Sequence, residues 1–97
     1  MTQVQIIARH TIKEGHEDEV LTVLSEFIDA ARQETGNLAF DSYRKIGDQR
    51  RYVLLERYAS RGALDVHRGS RHFTDLLLGQ IVPLLEGRTV EEYDVPD

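Results

Sequence analysis

Hydrophobic and polar residues alternate near the start of the chain, between Gln3 and Ile12. A period of two, with β-branched residues at several apolar positions, is typical of a β-strand that buries one face. The predicted apolar face carries Val4, Ile6 and Ala8, and the polar face carries Gln3, Gln5 and Arg9.

The apolar spacing becomes helical after a turn at residues 13–16. Three acidic residues at 17–19 lie where the start of a helix favours negative charge. Gly36 is well placed to follow the last turn as the C′ glycine. The pattern therefore predicts a helix of about five turns, with apolar positions at Val20, Leu24, Phe27, Ile28 and Ala31.

Two further strands, at residues 38–44 and Arg51–Tyr58, flank a turn at 46–49 and form a predicted hairpin. Ser60 can cap a short helix that runs to Arg68, where a Gly-Ser pair stops it. Ser70 can cap the next helix, which Pro83 ends or kinks. Residues 87–95 are predicted to form the last strand.

The predicted order β-α-β-β-α-β indicates a ferredoxin-like α+β domain that spans residues 1–97. Such a domain has a four-stranded antiparallel sheet with helices on one face. The third strand is apolar on both faces, with Val53 and Leu55 opposite Tyr52, Leu54 and Tyr58. Since the chain has helices for one face only, we expect a second copy to cover the other, giving a homodimer.

The composition is that of a globular domain, with 97 residues, 40% hydrophobic and 30% charged. No apolar run approaches the length of a membrane span, and no pattern resembles a signal peptide, so the cytoplasm is the expected location. The absence of cysteine excludes disulfides, thiolate metal sites and cysteine nucleophiles.

Charge is distributed unevenly along the chain. The formal net charge of −5 argues against a nucleic-acid partner. Residues 44–72 nevertheless carry eight basic and three acidic side chains, between two acidic flanks. We expect most of these bases to pair with the flanks and a few to face an anionic ligand.

Four short motifs resemble the antibiotic biosynthesis monooxygenase family. They are a Glu-x-Gly turn leading into an aromatic–acidic strand, a strand ending in Glu-x-aromatic, an Ala-Leu-x-x-His helix and a Ser-x-His-Phe helix start. In this sequence they occur at residues 34–41, 51–58, 63–67 and 70–73.

The resemblance implies a dimeric α+β barrel. Members of the family oxygenate quinols and polycyclic phenols without metal or flavin, process a phosphorylated autoinducer sugar, or cleave haem. This chain has no tryptophan, unlike the polyketide monooxygenases, and its first strand lacks the asparagine of the haem-degrading members. The latter difference argues against the haem branch.

His67 is the first candidate for a catalytic residue, since the pKa of histidine suits proton removal from a phenol or enediol near neutral pH. Alternatively, His67 packs between helix and sheet and donates to a backbone carbonyl. Glu56 lies on a largely apolar strand face and needs a partner there, such as Arg44, Arg57 or an arginine of a second subunit. It is predicted either to assist His67 in catalysis or to form a dimer salt bridge.

Substrate contacts are predicted for the residues around these two. Arg68 and Arg71 could face an anionic ligand, although solvated arginines are the alternative. Tyrosine rings could clamp a flat substrate or simply pack in the core. No metal is expected, because His67 and His72 appear without a third ligand in reach. The complete set of predicted binding residues is Asp41, Tyr43, Tyr52, Tyr58, Arg68, Arg71, His72 and Phe73.

The resemblance and the candidate residues together predict a cofactor-independent monooxygenase that uses dioxygen and a quinol or another electron-rich aromatic. One alternative is an isomerase-like enzyme acting on a small phosphorylated keto-sugar, with Arg68 or Arg71 holding the phosphate. Another is a non-catalytic ligand-binding or stress-response dimer. A pocket filled by core side chains would favour that last alternative.

Overall fold

In the computed structural model, which describes residues 2–96, the secondary-structure elements follow the order that the alternating and helical patterns predicted. A π-helix and a 3₁₀ turn occupy the place of the last helix. The elements are β1 (Gln3–Ile12), α1 (Glu17–Arg32), β2 (Asn37–Arg44), β3 (Arg51–Tyr58), α2 (Arg61–Arg68), the π-helix (Phe73–Ile81), the 3₁₀ turn (Val82–Leu84) and β4 (Leu85–Val95).

The four strands form one antiparallel sheet in the order β2-β3-β1-β4. The two central strands are therefore β1 and β3, which are paired in a register that sets Ile6 opposite Glu56. The ferredoxin-like α+β prediction is confirmed. No helix among residues 2–96 is long and apolar enough to cross a membrane.

The core lies between the inner face of the sheet and the helices. Along β1 every second residue is buried, as its alternation predicted. From α1, the residues that reach the core are Val20, Leu24, Phe27 and Ala31, four of the five predicted positions. The strands supply Ala8, Ile12, Phe40, Tyr52 and Leu54 to the same cluster.

The end of α1 differs from the prediction. The helix stops at Arg32, and Gly36 does not adopt the left-handed conformation of a C′ glycine. Gly36 instead allows two segments to approach closely, because a Cβ atom there would lie 2.4 Å from the Cβ of Ala63 in α2. The carbonyl of Gly36 also accepts a hydrogen bond of 2.9 Å from the N–H of Ala59. The absence of a side chain at Gly36 thus lets the loop after α1 pack closely against α2.

Both predicted serine caps are confirmed. The Ser60 hydroxyl accepts from the N–H of Ala63 at 3.1 Å, and the Ser70 hydroxyl accepts from the N–H of Phe73 at 3.2 Å. The segment after Ser70 is helical but wound more widely than an α-helix, as a π-helix. Pro83, which has no N–H to donate, stands in the 3₁₀ turn that ends it.

No helix formed by residues 2–96 covers the outer face of the sheet. Ile7, Val53 and Leu55 form its half-buried centre. Tyr43 and Tyr93 stand on the same face and are 59% and 48% exposed. This apolar surface is the one for which we expect a second copy of the chain as cover.

Candidate active site

His67 lies in the last turn of α2 and is 2% exposed. Its Nδ1 atom is 2.7 Å from Oε2 of Glu34, so its partner is a carboxylate and not the backbone carbonyl of the simpler interpretation. A carboxylate oxygen can only accept, so Nδ1 carries the proton. Burial lowers the pKa of His67, and its hydrogen bond with Glu34 opposes that shift. A neutral His67 therefore has a bare Nε2.

Glu34 was not among the predicted site residues. It lies in the loop between α1 and β2, and its side chain is only 8% exposed. Its Oε2 atom also accepts from Nε2 of His72 at 2.5 Å, so one oxygen joins both histidines. Its Oε1 atom is buried and has no hydrogen-bond partner among the described residues. The available signal was the Glu-x-Gly motif, in which Glu34 is the acidic residue.

The prediction that the histidines have no third metal-binding group in reach is wrong. Glu34 supplies that group, and the ligand atoms of Glu34, His67 and His72 lie within 4.8 Å of one another. The sequence hid this relation because 33 residues separate Glu34 from His67. The contact arises from the close packing of Gly36 on Ala63.

Glu56 lies on the apolar face of β3, as predicted; this is the inner face of the sheet, and Glu56 is buried there. Its partner is neither Arg44 nor Arg57: the Tyr58 hydroxyl donates to Oε1 at 2.6 Å. Arg44 and Arg57 bond to other groups, on the hairpin and on the outer face of the sheet. Burial raises the pKa of Glu56 to about 7, against the opposing effect of the Tyr58 hydrogen bond. The buried position also argues against a dimer salt bridge.

Glu56 and His67 face each other. Oε1 of Glu56 lies 3.7 Å from Nε2 of His67, the ring nitrogen that Glu34 leaves bare. Aromatic rings surround the imidazole of His67 with centroid distances from 5.1 to 5.9 Å, and they belong to Tyr58, Phe73, Phe27 and Phe40. The pair is therefore two proton-accepting groups in a nearly dry setting.

A cavity of about 30 Å³ adjoins this pair. It has room for a water molecule or two, whereas typical ligand pockets measure about 300 Å³ or more. Apolar side chains form most of its wall. Its polar lining residues are His10, Glu56, His67, Arg68 and Arg88.

His10 and Arg88 are two lining residues that sequence reasoning missed. His10 is buried, and its Nδ1 atom is 2.6 Å from the Tyr52 hydroxyl. Burial lowers the pKa of His10 to about 4, with Arg88 acting in the same direction. The Nε2 atom of His10 is buried without a partner within residues 2–96. The alternation in β1 did place His10 on the inner face, but the prediction named only its apolar neighbours.

The predicted binding residues divide into two groups. Those near His67 are Tyr58, Arg68, His72 and Phe73. Tyr52 is on the inner face but bonds to His10 instead.

The other predicted contacts lie away from the cavity. Asp41 and Tyr43 occupy the outer face, where Asp41 pairs with Arg32 at 3.3 Å. Arg71 is 92% exposed and lies 4.0 Å from Asp75. Periodicity assigns side chains to faces, but it does not show which of them converge on one point.

Residues 4–77 match the protein family described as "Antibiotic biosynthesis monooxygenase". The chain is 39% identical over 70 residues to "Putative monooxygenase Rv0793" of Mycobacterium tuberculosis, covering 72% of this chain and 68% of that protein. It is 27% identical over 62 residues to "Putative monooxygenase YcnE" of Bacillus subtilis (strain 168). That match covers 64% of this chain and 65%, just under two thirds, of the relative.

Solved structures show the same architecture. A crystal structure of an antibiotic biosynthesis monooxygenase superposes with a TM-score of 0.89 at 32% identity, over 97% of this chain and 99% of that one. The structure of the Mycobacterium tuberculosis relative gives 0.87 at 33% identity, over 98% and 96% of the two chains. Both likenesses extend over the elements that carry Glu34, Glu56, His67 and His72.

Proposed function

The chain belongs to the antibiotic biosynthesis monooxygenase family, and from that premise we propose that it is a cofactor-independent monooxygenase of a quinol or another electron-rich aromatic. The observation that carries this proposal is the bare Nε2 of His67, which faces Glu56 and a cavity while Glu34 holds Nδ1. This arrangement suits removal of a phenolic proton.

Proton removal would make the substrate electron-rich enough to reduce dioxygen directly. The substrate hydroxyl gives its proton to Nε2 of His67, and the resulting phenolate supplies electrons to dioxygen. One oxygen atom then becomes a new hydroxyl group on the ring, the two original hydroxyl groups become carbonyls, and the other oxygen atom leaves as water. For a hydroquinone the products are a hydroxyquinone and one water, with all four electrons coming from the ring.

Glu34 and Glu56 serve His67 in different ways. Glu34 fixes the tautomer in which Nε2 can accept a proton, and its negative charge stabilises the imidazolium that forms. Glu56, with its pKa raised to about 7, can take the proton onward from Nε2. Both carboxylates are more than nine-tenths buried, so little water competes for these contacts.

The test is oxygen uptake with a panel of hydroquinones, measured for the wild type and for His67→Gln. We expect loss of the base to lower kcat by about 100-fold or more. His16→Gln is the matched control, because His16 is exposed and also pairs with a glutamate, Glu19, at 3.2 Å. Equal product formation with and without oxygen, or full activity in His67→Gln, would refute the mechanism.

The small size of the cavity favours a second candidate, a non-catalytic dimer of the same fold. A substrate ring needs far more than 30 Å³, so side chains that line the cavity, among them Phe73, would have to move to admit one. Binding of hydroquinone or its oxidised quinone, followed by chemical shifts at Phe73, separates the two candidates. No shift at millimolar ligand would favour the non-catalytic dimer.

The phosphorylated keto-sugar alternative has less support. Arg68 lines the cavity but bonds to Glu92 at 2.9 Å, and Arg71 is solvated and lies outside the cavity lining. Of the two arginines predicted to hold a phosphate, one is therefore paired with a carboxylate and the other does not face the cavity.

A homodimer remains part of the proposal. Its support is the half-buried apolar centre of the outer sheet face, flanked by Tyr43 and Tyr93. A contiguous apolar patch of this kind is typical of a surface that another chain covers.

A further inference from the structure

The two histidines and the carboxylate on three separate elements have the make-up of a metal site. We propose that Glu34, His67 and His72 bind a divalent transition-metal ion of the zinc class. The proposal goes beyond the oxygenase function and does not depend on it.

The three ligands come from three segments that the fold brings together. Glu34 lies in the loop after α1, His67 ends α2, and His72 immediately precedes the π-helix. Their ligand atoms lie within 4.8 Å of one another. A tetrahedral zinc ion with bond lengths of about 2.0–2.2 Å holds its ligand atoms roughly 3.4 Å apart, so Oε2 of Glu34 would have to move away from the two ring nitrogens as the ion replaces both hydrogen bonds. His72, with its side chain 20% exposed, marks the route by which an ion could enter.

Glu34 offers more than its two hydrogen bonds use. Its Oε2 atom accepts from both histidines, whereas Oε1 is buried and has no partner among residues 2–96. An unsatisfied buried carboxylate oxygen is costly and needs an explanation. A metal ion between the three groups would use it, because a carboxylate can bind through either or both oxygens.

The surroundings of His67 match those of a metal-binding histidine. If Nδ1 binds the ion, the proton moves to Nε2, which then faces the Glu56 carboxylate at 3.7 Å. Metal-bound histidines usually donate from their other ring nitrogen to a carboxylate or carbonyl, and a small approach of Glu56 would complete such a hydrogen bond. Glu56 is in turn held by the Tyr58 hydroxyl at 2.6 Å.

The donor set selects the class of ion. Two imidazoles and one carboxylate suit zinc, iron, cobalt, nickel and copper, whereas magnesium and calcium prefer oxygen ligands throughout. Three protein ligands leave at least one coordination position for water. The ring centroids of Phe27 and Phe73 lie 5.3–6.0 Å from those of the imidazoles and 6.4 Å from each other. These rings would limit the open coordination position to a small molecule.

Metal binding at Nδ1 has a consequence for the proposed reaction. It places the remaining proton of a neutral His67 on Nε2, which removes the proton acceptor that the oxygenase mechanism needs. A bound ion should therefore inhibit the reaction. If Zn²⁺ binds but the chelator-treated protein has no oxygenase activity, the metal site stands and the oxygenase is refuted. If the chelator-treated protein is active but does not bind Zn²⁺, the oxygenase stands and the metal site is refuted.

The experiment is calorimetric titration of the chelator-treated protein with Zn²⁺ alone, and optical titration with Co²⁺. We expect one ion per chain and visible cobalt bands of a site with nitrogen ligands. His72→Ala and Glu34→Gln should each weaken binding by about 100-fold. His16→Ala, which removes a histidine from an exposed His–Glu pair, should leave it unchanged.

Far-ultraviolet circular dichroism and thermal unfolding show whether each variant folds. His72 is the safest position to change, because its side chain is the least buried of the three ligands. Absence of one-to-one binding to the wild type would overturn the proposal. So would binding that survives in folded His72→Ala or disappears in His16→Ala.

Discussion

Glu34 decides which ring nitrogen of His67 carries the proton, because its Oε2 accepts from Nδ1. We expect nitrogen NMR of chelator-treated protein to show His67 as the tautomer protonated on Nδ1. In Glu34→Ala, that preference should be lost and any oxygenase activity should fall about 10- to 100-fold, as for other partners that orient a functional histidine. Glu19→Ala removes the partner of the exposed His16 and should leave His67 unchanged.

His10 is expected to make stability depend on pH. Its pKa is 6.5 in the unfolded chain and about 4 in the folded protein, so the unfolded state binds more protons between these values. Stability is therefore full above pH 6.5 and falls by roughly 3 kcal/mol as the pH drops to 4. Urea unfolding of a His10→Phe, Tyr52→Phe double variant should show that the contribution of His10 to the pH dependence of the unfolding free energy between pH 4 and 6.5 has disappeared. An unchanged slope would mean that His10 is protonated in the fold.

Glu56 should act in the opposite direction. Its pKa rises from 4.5 in the unfolded chain to about 7 in the fold, so the folded state holds the extra proton. Its contribution to stability is present below pH 4.5 and is lost as the pH rises through 7. In chelator-containing buffer, Glu56→Gln should therefore gain stability relative to the wild type from pH 5 to pH 8. The opposite trend would show that Glu56 is already ionised at pH 5.

Sequence reasoning reached individual residues unevenly. It singled out His67 from the pKa of histidine and the family motif, and it found Glu56 because a titratable residue on an otherwise apolar strand face is visible in the alternation. It missed Glu34, since a polar residue in a loop has no periodic signal and its contact to His67 depends on tertiary packing. It expected Asp41 and Tyr43 to contact the substrate, but both lie on the outer face of the sheet, away from the cavity.

At the scale of elements, the contact between the loop after α1 and helix α2 is expected to be sensitive to one methyl group. Gly36→Ala would bring a Cβ within 2.4 Å of that of Ala63 and should destabilise the protein by about 1–3 kcal/mol. Gly62 is also in α2, but a Cβ added there would meet only Ser60 Oγ, at 3.6 Å. Gly62→Ala should therefore stabilise the protein by about 0.5–1 kcal/mol. Urea unfolding measures both, and equal effects would contradict the packing argument.

The elements were mostly predictable for local reasons. A period of two identified β1, and serine side chains marked the starts of α2 and the segment after Ser70. The end of α1 was misplaced because Gly36 was interpreted by its conformational freedom, whereas its small size is what the fold requires. The π-helical winding was not foreseen, since its apolar residues follow no pattern that distinguishes it from an α-helix.

At the scale of the molecule, the charge distribution resolves into contacts between distant segments. As the sequence predicted, several bases of the central segment pair with acidic residues of the last strand: Arg61 with Glu92 and Asp94, Arg68 with Glu92, and Arg50 with Glu86. These pairs join α2 and the turn before β3 to β4. Because they are largely exposed to solvent, these pairs contribute little to the stability of the fold.

The outer sheet face leads to a prediction about assembly. We expect the wild type to sediment as a dimer at micromolar concentration and Leu55→Lys to sediment as a folded monomer, because a charge would stand in the centre of the apolar face. Val66→Lys is the control, since Val66 is 66% exposed on α2, in the layer on the other side of the sheet. A monomeric wild type would contradict this prediction.

Gly36 and Ala63 share a single volume, although 27 positions of sequence separate them. A larger side chain can therefore be accommodated at one position only if the other becomes smaller. Ala63→Gly should rescue Gly36→Ala, and the two substitutions should be strongly non-additive. Across related chains, the sizes of these two residues should vary inversely, and a pair that is large at both positions should separate Glu34 from His67.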